Sequence, residues 1–136
     1  MAYQGMIRRT ISRRGQLSVP EALESAGVVS VDEPAVWGTL DDGVLAILSR
    51  TRDVIDTHPN LSVAGTSVPD PARVLAVPVP IFEAVDGIDP GEPIVFVSTQ
   101  PLSTRGAVAI VPEREFSAHE SRPMTSLARL EREDGS

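Results

Sequence analysis

The sequence predicts a mostly β domain of short strands, assembled from two copies of one unit with a short helix in each. Three observations predict it. Val (17) and Ile (8) together outnumber Leu (10) by more than two to one, and β-branched side chains favour pleated sheet. Twelve Pro and ten Gly cut the chain into short segments. The third observation is an internal repeat. Val19-Pro20 recurs as Val79-Pro80, and Ala26-Gly27-Val28 meets Asp86-Gly87-Ile88 at the same offset. Glu33-Pro34-Ala35-Val36-Trp37 then meets Glu92-Pro93-Ile94-Val95-Phe96, and Gly43–Leu48 meets Gly106–Val111.

Each unit reads as strand, Pro-started helical turn, Gly stop, loop, strand, turn, strand. Pro20 suits the first turn of a helix, where its missing N–H would be unpaired anyway. Glu21 and Glu24 sit near the positive helix end. Leu23 and Ala26 are spaced to share a side, and Gly27 supplies a left-handed stop. Ala35–Leu40 and Val44–Leu48 flank Asp41-Asp42-Gly43, a hairpin signal. In the second unit Ile94–Ser98 and Ala107–Val111 flank a longer turn with Pro101 and Gly106. These runs are apolar on consecutive positions, which predicts strands buried on both faces.

The expected organisation is a first repeat over 1–52, a linker over 53–71, a second repeat over 72–116 and a disordered tail over 117–136. Leu61–Ala64 is a candidate short strand inside the linker. In the tail Met124, Leu127 and Leu130 fall on one helical side, so it reads either as frayed chain or as a short helix that folds on a protein partner.

Composition excludes several function classes. With 136 residues the chain forms one domain or two very small ones. It has no Cys, so a disulfide framework, a zinc–thiolate site and a cysteine nucleophile are out. The longest apolar run, Val74–Phe82, contains Pro78 and Pro80 and is far short of the ~20 residues that span a bilayer. A soluble cytoplasmic protein without membrane contact is the expectation. All 12 basic residues are Arg, against 19 acids. That bias fits a salt-adapted, halophilic archaeon or a high-GC genome.

The net charge of −7 excludes a globally basic nucleic-acid binder, but the charge is unevenly spread. Residues 1–20 hold Arg8, Arg9, Arg13 and Arg14 and no acid, a net of +4, whereas the other 116 residues carry −11. Such a block on an acidic chain reads as a local footprint for a polyanion or as a solvated arm.

The segment Arg9-Thr10-Ile11-Ser12-Arg13-Arg14-Gly15-Gln16-Leu17-Ser18-Val19-Pro20-Glu21-Ala22-Leu23, with Ala26-Gly27-Val28 after it, resembles the AbrB/SpoVT swapped-hairpin family. That pattern is a basic strand, a Gly followed by a basic or polar residue, alternating apolars, an Ile/Val-Pro and a short helix ending at Gly. The likeness covers about residues 6–50, and more weakly 73–113, where Asp89-Pro90-Gly91-Glu92-Pro93 resembles the family's Gly-Asp box. The resemblance implies an AbrB-like swapped-hairpin β-barrel, here built from two repeats as a monomeric pseudo-dimer or paired between chains as a homodimer.

It also implies transcriptional regulation through contact with double-stranded DNA, with Arg8, Arg9, Arg13, Arg14 and Gln16 as the contacting residues. Gln16 stands where many members are basic, and the second unit has only Arg73 near its matching strand. An intrachain barrel would therefore carry charge on half of its DNA face. The alternative function is an antitoxin-like module whose tail binds a partner protein.

Enzymatic readings find no support. His58 and His119 stand in the linker and tail, where solvent exposure is expected, with no second ligand at metal spacing. Asp41-Asp42 reads as turn chemistry rather than a carboxylate pair. Ser18, Thr39 and Ser49 have no base in view, and no Gly-rich phosphate loop occurs. No catalytic residue, metal or cofactor is expected. Trp37 and Phe96 occupy matching places and read as core plugs.

Overall fold

The computed structural model describes residues 5–118. Its elements, in order, are β1 (Gly5–Thr10), β2 (Gln16–Ser18), α1 (Glu21–Ser25), β3 (Ala35–Leu40), β4 (Ala46–Ser49), α2 (Asp53–Asp56), β5 (Leu61–Ser67), β6 (Val74–Ala76), α3 (Val79–Ala84), β7 (Pro93–Ser98), α4 (Gln100–Thr104), β8 (Ala107–Pro112) and α5 (Glu113–Ala118). The fold is mostly β. Six strands form one antiparallel sheet in the order β1-β7-β8-β4-β3-β5, and β2 pairs with β6 in a separate ribbon.

The pairing is reciprocal between the two halves of the chain. β1 lies on β7, and β5 lies on β3. The two hairpins β3–β4 and β7–β8 meet at the centre through β4 and β8, where Ile47 faces Ala109. In the ribbon Leu17 faces Leu75. Val19 N donates to Arg73 O and Val77 N to Gly15 O, both at 2.9 Å.

These bonds correct the register of the repeat. Val19-Pro20 corresponds to Val77-Pro78, not to Val79-Pro80. Pro20 and Pro78 both precede a helix with nearly the same backbone, φ −59° and ψ 145° against φ −62° and ψ 143°. Val77-Pro78-Val79-Pro80 is a tandem dipeptide, so identity alone does not choose between its halves, and ribbon hydrogen bonding does. The fourth strands are also shifted by one from the expected match. Ala46 faces Ile110 and Leu48 faces Val108, so Leu48 corresponds to Ile110. Gly43 and Gly106 are not equivalent, because Gly106 closes α4 while Gly43 closes a tight turn.

The expected closed barrel does not form. β1 and β5 are the two outer strands of the large sheet, and among the described residues no strand joins them. The turns at 12–15 and 70–73 carry β2 and β6 off the sheet into a ladder of their own, so β1 and β5 each pair with one strand among the described residues.

The central strands are buried on both faces, as their unbroken apolar runs predict. One face packs against the ribbon, α1 and α3, and holds Ile11, Leu17, Leu23, Leu75, Ile81, Trp37 and Phe96. The other packs against α2 and α4 and holds Leu45, Ile47, Val54, Ile55, Val97 and Leu102. Trp37 and Phe96 are both fully buried and act as plugs of the first core. The hairpin at Asp41-Asp42-Gly43 forms where the turn signal puts it. Asp42 Oδ1 accepts from Val44 N at 3.0 Å. Gly43 has φ +68°, and a Cβ there would come within 2.8 Å of Ala84 O.

The region 53–71 contains α2 and β5, whose seven residues extend the candidate strand at 61–64. Its Ser, Thr and Gly suit an outer strand that only one neighbour covers. His58, expected to be exposed, is buried at 3%. It ends the turn after α2, where its Nδ1 accepts from Asn60 N at 3.1 Å. The helix turns Val54 and Ile55 into the core, and the bend that follows folds His58 under the loop. Met124, Leu127, Leu130 and His119 lie outside the described residues, as does most of the tail.

One polar link ties the sheet to the ribbon. Trp37 Nε1 donates to Ser67 Oγ at 3.0 Å, and Ser67 Oγ donates to Ala76 O. Trp37→Ala is therefore expected to cost about 3–5 kcal/mol through the cavity it leaves. Trp37→Phe, which mainly loses the indole donor, should cost about 1–2 kcal/mol. Urea unfolding followed by far-UV circular dichroism measures both.

Candidate nucleic-acid interface

β1 is an outer strand, with no further strand beyond it among the described residues, and its side chains alternate between the two faces of the sheet. Arg8 lies opposite Val95 and Arg9 opposite Ile94. Directly opposed residues of an antiparallel pair share a face. Val95 belongs to the core under α2 and α4, and Ile94 to the core under the ribbon. Arg8 and Arg9 therefore sit on opposite faces of the sheet. Arg8 Nε pairs with Glu113 Oε2 on α5. Arg9 Nη1 donates to Arg8 O at 2.9 Å, and its side of the sheet is the side of the ribbon.

The turn from β1 to β2 is built around Ser12. Ser12 N donates to Gln16 O at 2.8 Å and Gly15 N to Ser12 O at 2.9 Å. Ser12 Oγ accepts from Gln16 N at 3.1 Å and from Arg14 N at 3.3 Å. Gly15 closes the turn with φ +78°, the left-handed region that a side chain resists. Arg13 and Arg14 are left exposed at the tip, and neither forms an ion pair among the described residues. Gly91 lies under the Arg13 stem, and Gly91 N donates to Ile11 O at 2.8 Å. Gln16 is exposed on the outer face of the ribbon beside Ala76.

Arg9, Arg13, Arg14 and Gln16 thus gather on one side and one end of the molecule, and Arg8 is held on the other side. Ser12 is a residue whose part sequence reasoning missed. Its signal was a small hydroxyl residue four positions before the β2 start, a common turn former.

The corresponding turn between β5 and β6 has the same backbone and the opposite chemistry. Asp70 takes the place of Ser12. Its Oδ1 accepts from Ala72 N at 2.8 Å and Val74 N at 3.0 Å. Pro71 and Ala72 replace the two tip arginines. Arg73 takes the place of Gly15, with φ +63°. Its Nε donates to Val19 O at 3.3 Å and its Nη1 lies 3.5 Å from Glu24 Oε1. The one cation of this turn is therefore folded back onto α1 and half-buried. Among the described residues, this second turn presents no free positive charge.

Among the described residues no group of three or more His, Asp or Glu can hold a metal ion, and no helix is long and apolar enough to cross a membrane. No protein-family model, curated protein or solved structure matches the chain.

The Ser12 hydroxyl is expected to stabilise the tip. Ser12→Ala should cost about 1 kcal/mol through two lost hydrogen bonds to the backbone. Ser12→Asp, which copies Asp70, should fold with stability within about 0.5 kcal/mol of the parent. Thermal melts of the two variants distinguish these outcomes.

Proposed function

We propose that the protein is a DNA-binding transcriptional regulator that contacts duplex DNA through Arg9, Arg13, Arg14 and Gln16, with Arg8 at the margin. The observation that carries this reading is the tip itself. Two arginines stand exposed and without ion pairs among the described residues, on a turn braced by Ser12, in a chain of net charge −7. Guanidinium is always charged and forks onto phosphate or guanine edges. The reciprocal pairing of the two halves supports a swapped-hairpin architecture completed within one chain. The acidic remainder repels the duplex and orients the basic end toward it.

Arg8 is partly neutralised by Glu113, and an exposed pair of this kind is worth about 0–1 kcal/mol. DNA phosphate competes with it at little cost.

Binding should be dominated by phosphate contacts and fall steeply with salt, with a log–log slope of about −0.9 per contact. Arg13→Ala and Arg14→Ala should each reduce that slope by about one. Glu113→Gln should tighten binding by freeing Arg8. Fluorescence anisotropy of a labelled duplex titrated at several salt concentrations measures all three. Affinity and slope unchanged in an Arg9→Ala, Arg13→Ala, Arg14→Ala triple variant would sink the proposal.

A further inference from the structure

The corrected repeat register brings an apolar surface to the arginine tip. α3 leaves the ribbon at the end where the tip sits, since Val77 N is bonded to Gly15 O. The Phe82 ring packs against the same turn: a Cβ on Gly15 would lie 3.5 Å from it. Val79 is three positions before Phe82, on the same side of the helical turn. It is 64% exposed, the most exposed large hydrophobic side chain among the described residues.

The corresponding positions at the other end are Glu21 and Glu24. Glu24 holds Arg73, as Phe82 lies on Gly15. The exchange is paired. The basic turn is flanked by apolar Val79 and Phe82, and the turn of Asp70 and Arg73 by two glutamates. An acid in the first turn of a helix is favourable, and α3 has none there. Its one acid, Glu83, lies a turn further on. At these two helix positions hydrocarbon stands beside the basic turn where the other end has carboxylates, while the loop carrying Asp89 and Glu92 lies on the Arg13 side of the tip.

We propose that Val79, supported by Phe82, is a specificity element that packs on the C5-methyl groups of thymine in the major groove while Arg13 and Arg14 engage the adjoining phosphates. The inference rests on the DNA-binding reading above. Duplex DNA is favoured over a protein partner because the apolar shelf is continuous with two exposed cations. Thymine is the base that presents an apolar group in the major groove.

The test uses the full chain and two alternating A·T duplexes of equal length, one with deoxyuridine in place of every thymidine. That substitution removes the methyl and keeps the base-pair hydrogen bonding. The parent protein should bind the thymine duplex about fourfold more tightly for each methyl it buries. Val79→Ser should abolish the difference and leave the salt slope unchanged. Val79→Leu should keep the difference, and Arg13→Ala should weaken both duplexes alike. Val79 is exposed, so thermal melts should confirm that its variants fold like the parent.

Equal binding of the two duplexes by the parent overturns the inference and leaves the DNA-binding reading standing. So does a thymine preference that survives in Val79→Ser. Failure of the parent to bind either duplex overturns both. Parent-like DNA binding by Val79→Ser, together with loss of self-association in sedimentation, assigns the shelf to a protein interface and overturns the inference.

Discussion

The central strands β3, β4, β7 and β8 carry apolar side chains on both faces, and neither half of the chain has enough surface to cover its own pair. The outer flank of each hairpin is covered by the first strand of the opposite half: β1 lies on β7, and β5 on β3. The ribbon of β2 and β6 closes one face over Leu17 and Leu75, with α1 and α3 beside it. α2 and α4 close the other face. Every layer thus contains residues from both halves, so each depends on the other for its core.

Reciprocal exchange produces two ends with one backbone design, and a single chain is free to give them different chemistry. Ser12 and Asp70 organise their turns with the same pattern of bonds to the main chain. One turn then displays Arg13 and Arg14, and the other Pro71 and Ala72. Arg73 adopts a left-handed backbone that strains any side chain, and its guanidinium is tied to Val19 O and Glu24. A homodimer of identical chains could not divide its ends in this way. The price of that freedom is that, among the described residues, only one of the two turns displays exposed arginines.

Much of the fold was legible in the sequence because its signals are local. Asp41-Asp42-Gly43 marks a turn by its own chemistry, and unbroken apolar runs mark strands covered on both sides. Glu21–Ser25 is a helix between Pro20 and Gly27, and Trp37 and Phe96 are large apolar residues in matching places. β5 was only partly legible, because an outer strand has one neighbour and tolerates Ser, Gly and Thr. The barrel failed to close for a reason outside any one segment, the lifting of β2 and β6 away from the sheet. His58 is buried by the path of the chain after α2 rather than by its own surroundings in sequence.

By itself the sequence determined the kinds of element, the buried strands, and the concentration of four arginines in the first 20 residues of an acidic chain. Tertiary structure decided how those arginines divide. Side chains alternate across a strand, so neighbouring Arg8 and Arg9 point to opposite faces once β1 is laid on β7. It also decided which Val-Pro belongs to the ribbon, and with that which residues flank the tip. Val79 and Arg13 are distant in sequence, and only the pairing of β2 with β6 brings α3 to the arginine turn. Which of two identical Val-Pro dipeptides joins the ribbon depends on contacts between strands far apart in sequence, and a local match of residues does not contain them.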